Sequence, residues 1–191
     1  MSTTEPRKCI NEIELLFNKK GNNLYGESVT QLEHALQCAQ LAQDSGAEPS
    51  LIIAALLHDI GHLEHKDSAS AFQQGVDDSH ELIGAKFLLR QFGVRVSEPV
   101  RLHVAAKRYL CFIDNFYWGN LSDQSKQTLE LQGGPMDQSE AQNFSEHAHS
   151  KEAVQLRKWD DAAKQKNKET ESLSHFLKIA EKYLQAQSIS E

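Results

Sequence analysis

No stretch of this 191-residue chain reaches the ~18 consecutive apolar residues that a membrane-spanning helix needs. The first residues, "MSTTEPRKCINEIELLF", lack an uninterrupted apolar core after their basic residues, so no secretory signal is expected. Cysteine is scarce: Cys9, Cys38 and Cys111 make an odd number, and none forms a CxxC pair. They read as buried free thiols of a reducing compartment rather than a disulfide framework. Positive charge is in deficit, with 20 Lys and Arg against 27 Asp and Glu and a formal net charge of −7. A general affinity for nucleic acid or an anionic membrane is therefore not expected, though a local basic pocket is compatible with this balance. Internal repeats, low-complexity blocks and sustained period-two alternation are all missing. The expected location is cytoplasmic.

What the chain does contain is helical periodicity. Hydrophobic residues make up 39% and charged residues 25%, ordinary values for a soluble globular protein. The length suits one domain spanning residues 1–191. The first run has Ile10, Ile13, Leu15, Leu16 and Phe17 on its apolar side and stops at Gly21. Ser28 and Gln31 form a capping-box pattern before the second, in which Val29, Leu32, Leu36 and Ala39 make one stripe and His34, Cys38 and Leu41 another. Pro49 opens an all-apolar helix for which Gly61 fits the C-cap. Ser79 is expected to cap "HELIGAKFLLRQFG", and Ser97, Glu98 and Pro99 to open "VRLHVAAKRYL". An aromatic loop (Phe112, Phe116, Tyr117, Trp118) and four further helical runs follow. The fold class predicted is all-α, a helical bundle of roughly eight helices.

The apolar third helix runs into "HDIGHLEHKD", a cluster of ionisable groups at the point where it must stop. A buried carboxylate without a partner costs roughly several kcal/mol, and a metal ion satisfies carboxylate and imidazole together. His34, His58, His62, His80 and His103 fall at helix ends or inward faces, and Asp59 joins them. This donor set suits iron, manganese or zinc better than magnesium or calcium. At a helix terminus an Asp can bridge two ions while the adjacent His binds one. Taken alone, His34 reads equally as a packed core residue, and His65, His147, His149 and His175 read as surface or satisfied residues.

"QLEHALQCA", "AALLHDIGH", "HVAAKRYL", "NLSDQSKQTLELQGGPMD" and "RKWD" resemble the HD-domain superfamily, and within it the mixed-valence diiron oxygenases. Over residues 25–164 the likeness is to the phosphonate-cleaving branch that acts on 1-hydroxy-2-aminoethylphosphonate, a relative of myo-inositol oxygenase. The resemblance implies His34, His58, Asp59, His80, His103 and Asp160 as ligands of an Fe(II)/Fe(III) pair, with Asp161 the rival for the last place. It implies Lys107, His62 and Ser125 as phosphonate contacts, with His62 and Lys107 as the catalytic pair. Elementary chemistry agrees: Lys107 is one turn beyond His103 and a phosphonate is a dianion, although a lysine reaching to the surface has the same pattern. In "LYGE", Glu27 matches the family's amine-binding Glu, while Tyr25 lies one residue nearer to it than the family's iron-capping Tyr.

The implied activity is O2-dependent cleavage of a carbon–phosphorus bond in organophosphonate catabolism. The small-molecule substrate it implies first is (R)-1-hydroxy-2-aminoethylphosphonate, giving glycine and phosphate. Hydroxymethylphosphonate and the N-trimethyl analogue are alternatives, the latter if the aromatic loop forms a cage. An upstream phosphonate hydroxylase is the expected pathway partner. The rival readings are an HD-type metal-dependent phosphohydrolase and a metal-dependent sensing module.

Overall fold

The computed structural model describes residues 4–25, 29–64 and 79–189. Eleven helices are present among them: α1 Thr4–Lys20, α2 Gln31–Asp44, α3 Pro49–Leu57, α4 Ile60–Glu64, α5 His80–Phe92, α6 Val94–Ile113, α7 Tyr117–Asn120, α8 Asp123–Leu131, α9 Gln138–Glu146, α10 Ser150–Ala162 and α11 Leu173–Ile189. β1 Leu24–Tyr25 and β2 Val29–Thr30 pair antiparallel, with Leu24 opposite Thr30. The class is all-α, as the periodicity indicates. The larger helix number comes from short pieces such as α4 and α7, which are too brief to show a period. No helix of the described residues is long and apolar enough to cross a membrane.

Helix α3 is the axis of the bundle. Seven of its nine residues are buried, so it packs on all sides, against α2, α6, α10 and α11. The main core gathers Ile13, Phe17, Cys38, Ile53, Leu56, Leu57, Leu88, Phe92, Val96, Leu156 and Phe176. A smaller core of Leu102, Ala106, Met136, Ala141, Phe144 and Ala153 ties α9 and α10 to the middle of α6.

Several local expectations are corrected. The capping box of α2 is Thr30 with Glu33, two residues later than expected: Glu33 N–H donates to Thr30 Oγ1 at 3.1 Å and Thr30 N–H to Glu33 Oε2 at 2.7 Å. Thr30 already has the extended backbone of a strand, and a carboxylate suits the helix N-terminus better than the Gln31 amide. Ser28 lies outside the described residues. Ser79 holds the N-cap position of α5 with φ 50° and makes no side-chain cap bond; capping requires an extended backbone there. Helix α6 starts at Val94 rather than near Ser97, because Gly93, at φ 77°, ends α5 and begins α6 by itself. Pro99 is thus inside the helix, and Val96 and Val100, one turn apart, were the signal for the earlier start.

Gly61 is not a C-cap. Helix α3 ends at Leu57, His58 and Asp59 form a turn, and Gly61 lies in α4. A Cβ on Gly61 would stand 2.1 Å from the His80 carbonyl oxygen. Its absence lets α4 lie directly on the start of α5.

Candidate metal centre and anion pocket

The break between α3 and α4 decides the site. It turns Asp59 and His58 out of the apolar helix together, into a space walled by α2, α5, α6 and α10. His34 comes from α2, His80 is the first residue of α5, His103 is in α6 and Asp160 in α10. All six are buried.

Three imidazoles are held the same way. Nδ1 of His34 donates to the Ala163 carbonyl at 2.9 Å, that of His58 to Ala55 at 2.9 Å and that of His103 to Val100 at 2.7 Å. A carbonyl can only accept, so each Nδ1 carries a proton and Nε2 is the nitrogen turned toward the site. His80 differs, with Nδ1 3.8 Å from the Glu81 carboxylate. The Nε2 atoms meet in pairs, His34 with His58 at 3.2 Å and His80 with His103 at 3.3 Å.

Asp59 lies between the pairs. Its Oδ2 is 3.4 Å from His58 Nε2 and 3.7 Å from His34 Nε2, while its Oδ1 is 3.5 Å from His80 Nε2 and 3.8 Å from His103 Nε2. Asp160 Oδ1 joins the first pair, 3.4 Å from His34 Nε2. Asp59 Oδ2 is buried and has no hydrogen-bond partner. Facing lone pairs around a carboxylate with an orphaned oxygen require protons or cations between them. The site fits metal on this ground, and the groups His34, Cys38, His58 and Asp59, His80, His103 are each able to hold an ion.

Charges are distributed accordingly. Burial opposes ionisation of Asp59, but His58, His62 and His80 hold its carboxyl well below the usual range. Burial also opposes a charged His58, yet Asp59 and Asp160 keep it up at about 9. Burial, then His80 and His58, push His103 down to about 3. The Cys38 thiol, 3.8 Å from His34 Nε2, is pushed well up by burial and then by Asp160 and Asp59. A thiol kept neutral is a poor ligand, so the carboxylates are the better donors.

A second cluster of opposite polarity adjoins Asp160. Lys107 is buried, not at the surface, and its Nζ donates to Thr128 Oγ1 at 2.9 Å. Burial, then the Arg157 charge, push it down to about 7. Ser125 Oγ receives Arg157 Nη2 and Lys164 Nζ, each at 3.4 Å. Ser125 is placed by Ser122, the N-cap of α8, whose Oγ accepts the Ser125 N–H at 3.2 Å. The "LELQGGPMD" stretch anchors this helix. Gly133 and Gly134, at φ 96° and 70°, reverse the chain, and the Gly134 carbonyl accepts from Arg108 Nε of α6 at 2.8 Å.

The structure thus gathers His34, His58, Asp59, His80, His103 and Asp160 in one cluster and sets Lys107 and Ser125 beside it. His62, half-buried, stacks on His80 with ring centroids 4.0 Å apart. Asp161, the rival for the last ligand place, faces Arg157 and Tyr117 instead. Glu27 and the Tyr25 side chain lie outside the described residues. The aromatic loop disperses: Phe116 is 82% exposed, Lys126 sits 4.9 Å over the Trp118 ring and the Tyr117 hydroxyl turns inward onto Asp161. Sequence reasoning missed Arg157, Lys164 and Thr128. The signal was available for two, since Arg157 and Lys164 flank Asp160 by one helical turn on either side.

A helical bundle whose central helix breaks at a His–Asp pair, with further histidines converging on it, defines a class of metal-binding protein. The HD domain family matches residues 32–188, and the chain belongs to that family. It is 43% identical over 173 residues to a hydroxymethylphosphonate dioxygenase of Gimesia maris, covering 90% of this chain and 86% of the relative. It is 38% identical over 168 residues to a [1-hydroxy-2-(trimethylamino)ethyl]phosphonate dioxygenase (glycine-betaine-forming) of Leisingera caerulea, covering 87% and 86%.

Proposed function

We propose that this chain is an O2-dependent oxygenase with two irons that cleaves the carbon–phosphorus bond of a 1-hydroxyphosphonate. The observation that carries this reading is the Asp59 carboxylate, one oxygen toward His34 and His58 and the other toward His80 and His103, next to buried cations. The two relatives named as dioxygenases of hydroxyphosphonates support it.

His34, His58 and Asp160 would hold one iron and His80 and His103 the other, with Asp59 shared. Bound there, the irons supply the redox chemistry and open coordination positions that O2 activation needs. Lys107, Arg157, Lys164 and Ser125 bind the phosphonate oxygens, orienting C1 and its hydroxyl toward the metal side. Closure by buried Lys107, Arg157 and Ser125 keeps bulk water from the reacting carbon. His62, stacked on the His80 ring, would give a proton to a phosphonate oxygen as phosphate leaves. One O2 is consumed per phosphate: C1 is oxidised to a carboxylate, and carboxylate and phosphate each gain an oxygen. The C1 hydroxyl must be installed beforehand, which is the work of an upstream hydroxylase.

Glu27 favours a substrate with a cation next to C1, so 1-hydroxy-2-aminoethylphosphonate heads the order, ahead of hydroxymethylphosphonate and the trimethylated analogue. The test is O2 uptake and phosphate release by iron-loaded protein on all three. Equal molar amounts are expected on at least one, with the amino compound giving the highest kcat/KM. Phosphate release without O2 uptake would mark a hydrolase and overturn the reading.

A further inference from the structure

Asp161 is the neighbour of a candidate metal ligand, yet its carboxylate is spent on a different task. A guanidinium has five N–H groups on a planar fork. Arg157 Nη1 goes to Asp160 Oδ2 at 2.8 Å. Asp161 takes the other edge, accepting from Nε at 3.2 Å with one oxygen and closely from Nη2 with the other. Tyr117, from the short helix α7, completes the grip: its hydroxyl donates to Asp161 and accepts from Arg157 Nε at 3.2 Å. The guanidinium is therefore held on two edges, and Nη2 also reaches Ser125 Oγ at 3.4 Å. Arg157 is 4% exposed, so bulk water does not compete for these donors. A fork fixed in advance loses little freedom when an anion arrives.

We propose that Asp161 and Tyr117 are positioning residues, fixing the Arg157 guanidinium to receive an oxygen of the substrate's anionic head, and that Asp161 ligates no metal. The proposal rests on the oxyanion-binding reading of the same pocket. It also gives Tyr117 a role opposite to that of an aromatic wall: its ring edge faces the protein's own charges rather than a substrate cation.

The experiment compares iron-loaded wild type, Tyr117→Phe, Asp161→Asn and Asp161→Glu. KM and kcat are measured on the best hydroxyphosphonate, together with the inhibition constant of inorganic phosphate and the iron content. Asp161→Asn is expected to raise KM and the phosphate constant about tenfold and Tyr117→Phe about threefold. In both, kcat should stay within about twofold and iron content should not change. Asp161→Glu should recover most of the affinity. Tyr117→Phe removes an oxygen and no charge, so it separates orientation from net charge and decides the matter if Asp161→Asn does not fold. Loss of iron in folded Asp161→Asn would make Asp161 a ligand and overturn the proposal. Tighter phosphate binding would make its carboxylate a competitor of the anion, with the same consequence. Wild-type turnover matched by Tyr117→Phe at equal KM overturns the proposal alone. A wild type that neither binds phosphate nor consumes any hydroxyphosphonate overturns the functional reading together with it.

Discussion

The two halves of the site are built with opposite polarity. Around Asp59, lone pairs converge: every Nδ1 that meets a carbonyl holds its proton in that bond, and the Nε2 atoms face one another at 3.2 and 3.3 Å. Around Ser125, donors converge, from Lys107 through Thr128 and from Arg157 and Lys164 directly. The first half needs cations and the second an anion. A ligand that chelates metal at one end and carries a dianion at the other satisfies both. Asp160 joins the halves, with Oδ1 toward His34 and Oδ2 on Arg157. Each supplies part of the charge the other lacks.

The largest break in this division is Asp59→Ala. One carboxylate serves both positions, so metal content should fall from about two ions per chain to near none, by elemental analysis, and turnover should go with it. Retention of two ions would show that the halves of the metal site are independent.

Arg157→Ala should damage both regions at once. Removing the guanidinium leaves buried Asp160 with only the longer contact to Lys164 at 3.6 Å, a destabilisation of about 3–5 kcal/mol in denaturant titration. The anion affinity should fall in parallel. A loss confined to phosphonate KM, with stability intact, would show that the link through Asp160 is not structural.

Gly61→Ala sharpens the comparison by striking the metal half from outside it. The added Cβ meets the His80 carbonyl at 2.1 Å, so α4 and α5 must part. Expected are a loss of about 1–3 kcal/mol and weaker metal binding on the His80 side, with inorganic phosphate affinity little changed.

The smallest effect concerns Lys107. Its ammonium is held down at about 7 in the fold, against 10.5 ordinarily. Between those values the unfolded chain binds the proton that the folded chain releases, so stability rises with pH across that window. Below about 7 both states are protonated and the burial penalty is complete. Lys107→Met should therefore raise Tm by about 2–4 °C near pH 6, with the gain fading toward pH 10, while phosphonate affinity drops. A gain that grows with pH would reverse the sign.

The metal half was legible in the sequence because its histidines interrupt apolar helix faces, where an ionisable residue must have a reason. His34 among Ala35, Cys38 and Ala39, and His58 after Leu56 and Leu57, are such interruptions. The anion half was legible only in part. Lys107 stood out by its spacing from His103, but Arg157 sits in a charge-rich helix and Lys164 just beyond its end, where cations look solvated. Thr128 and Tyr117 enter through tertiary packing alone. Turn chemistry failed where two patterns overlapped, as at Ser28 and Thr30. It failed again at Gly61, whose glycine serves a close approach between helices far apart in sequence. That contact has no local signature.

The most direct measurement is anomalous diffraction at the iron edge from crystals of the iron-loaded protein. The account predicts two peaks flanking the Asp59 carboxylate, one among His34, His58 and Asp160 and one between His80 and His103. A single peak, or one bound by Cys38 or Asp161 in place of Asp160, would contradict it.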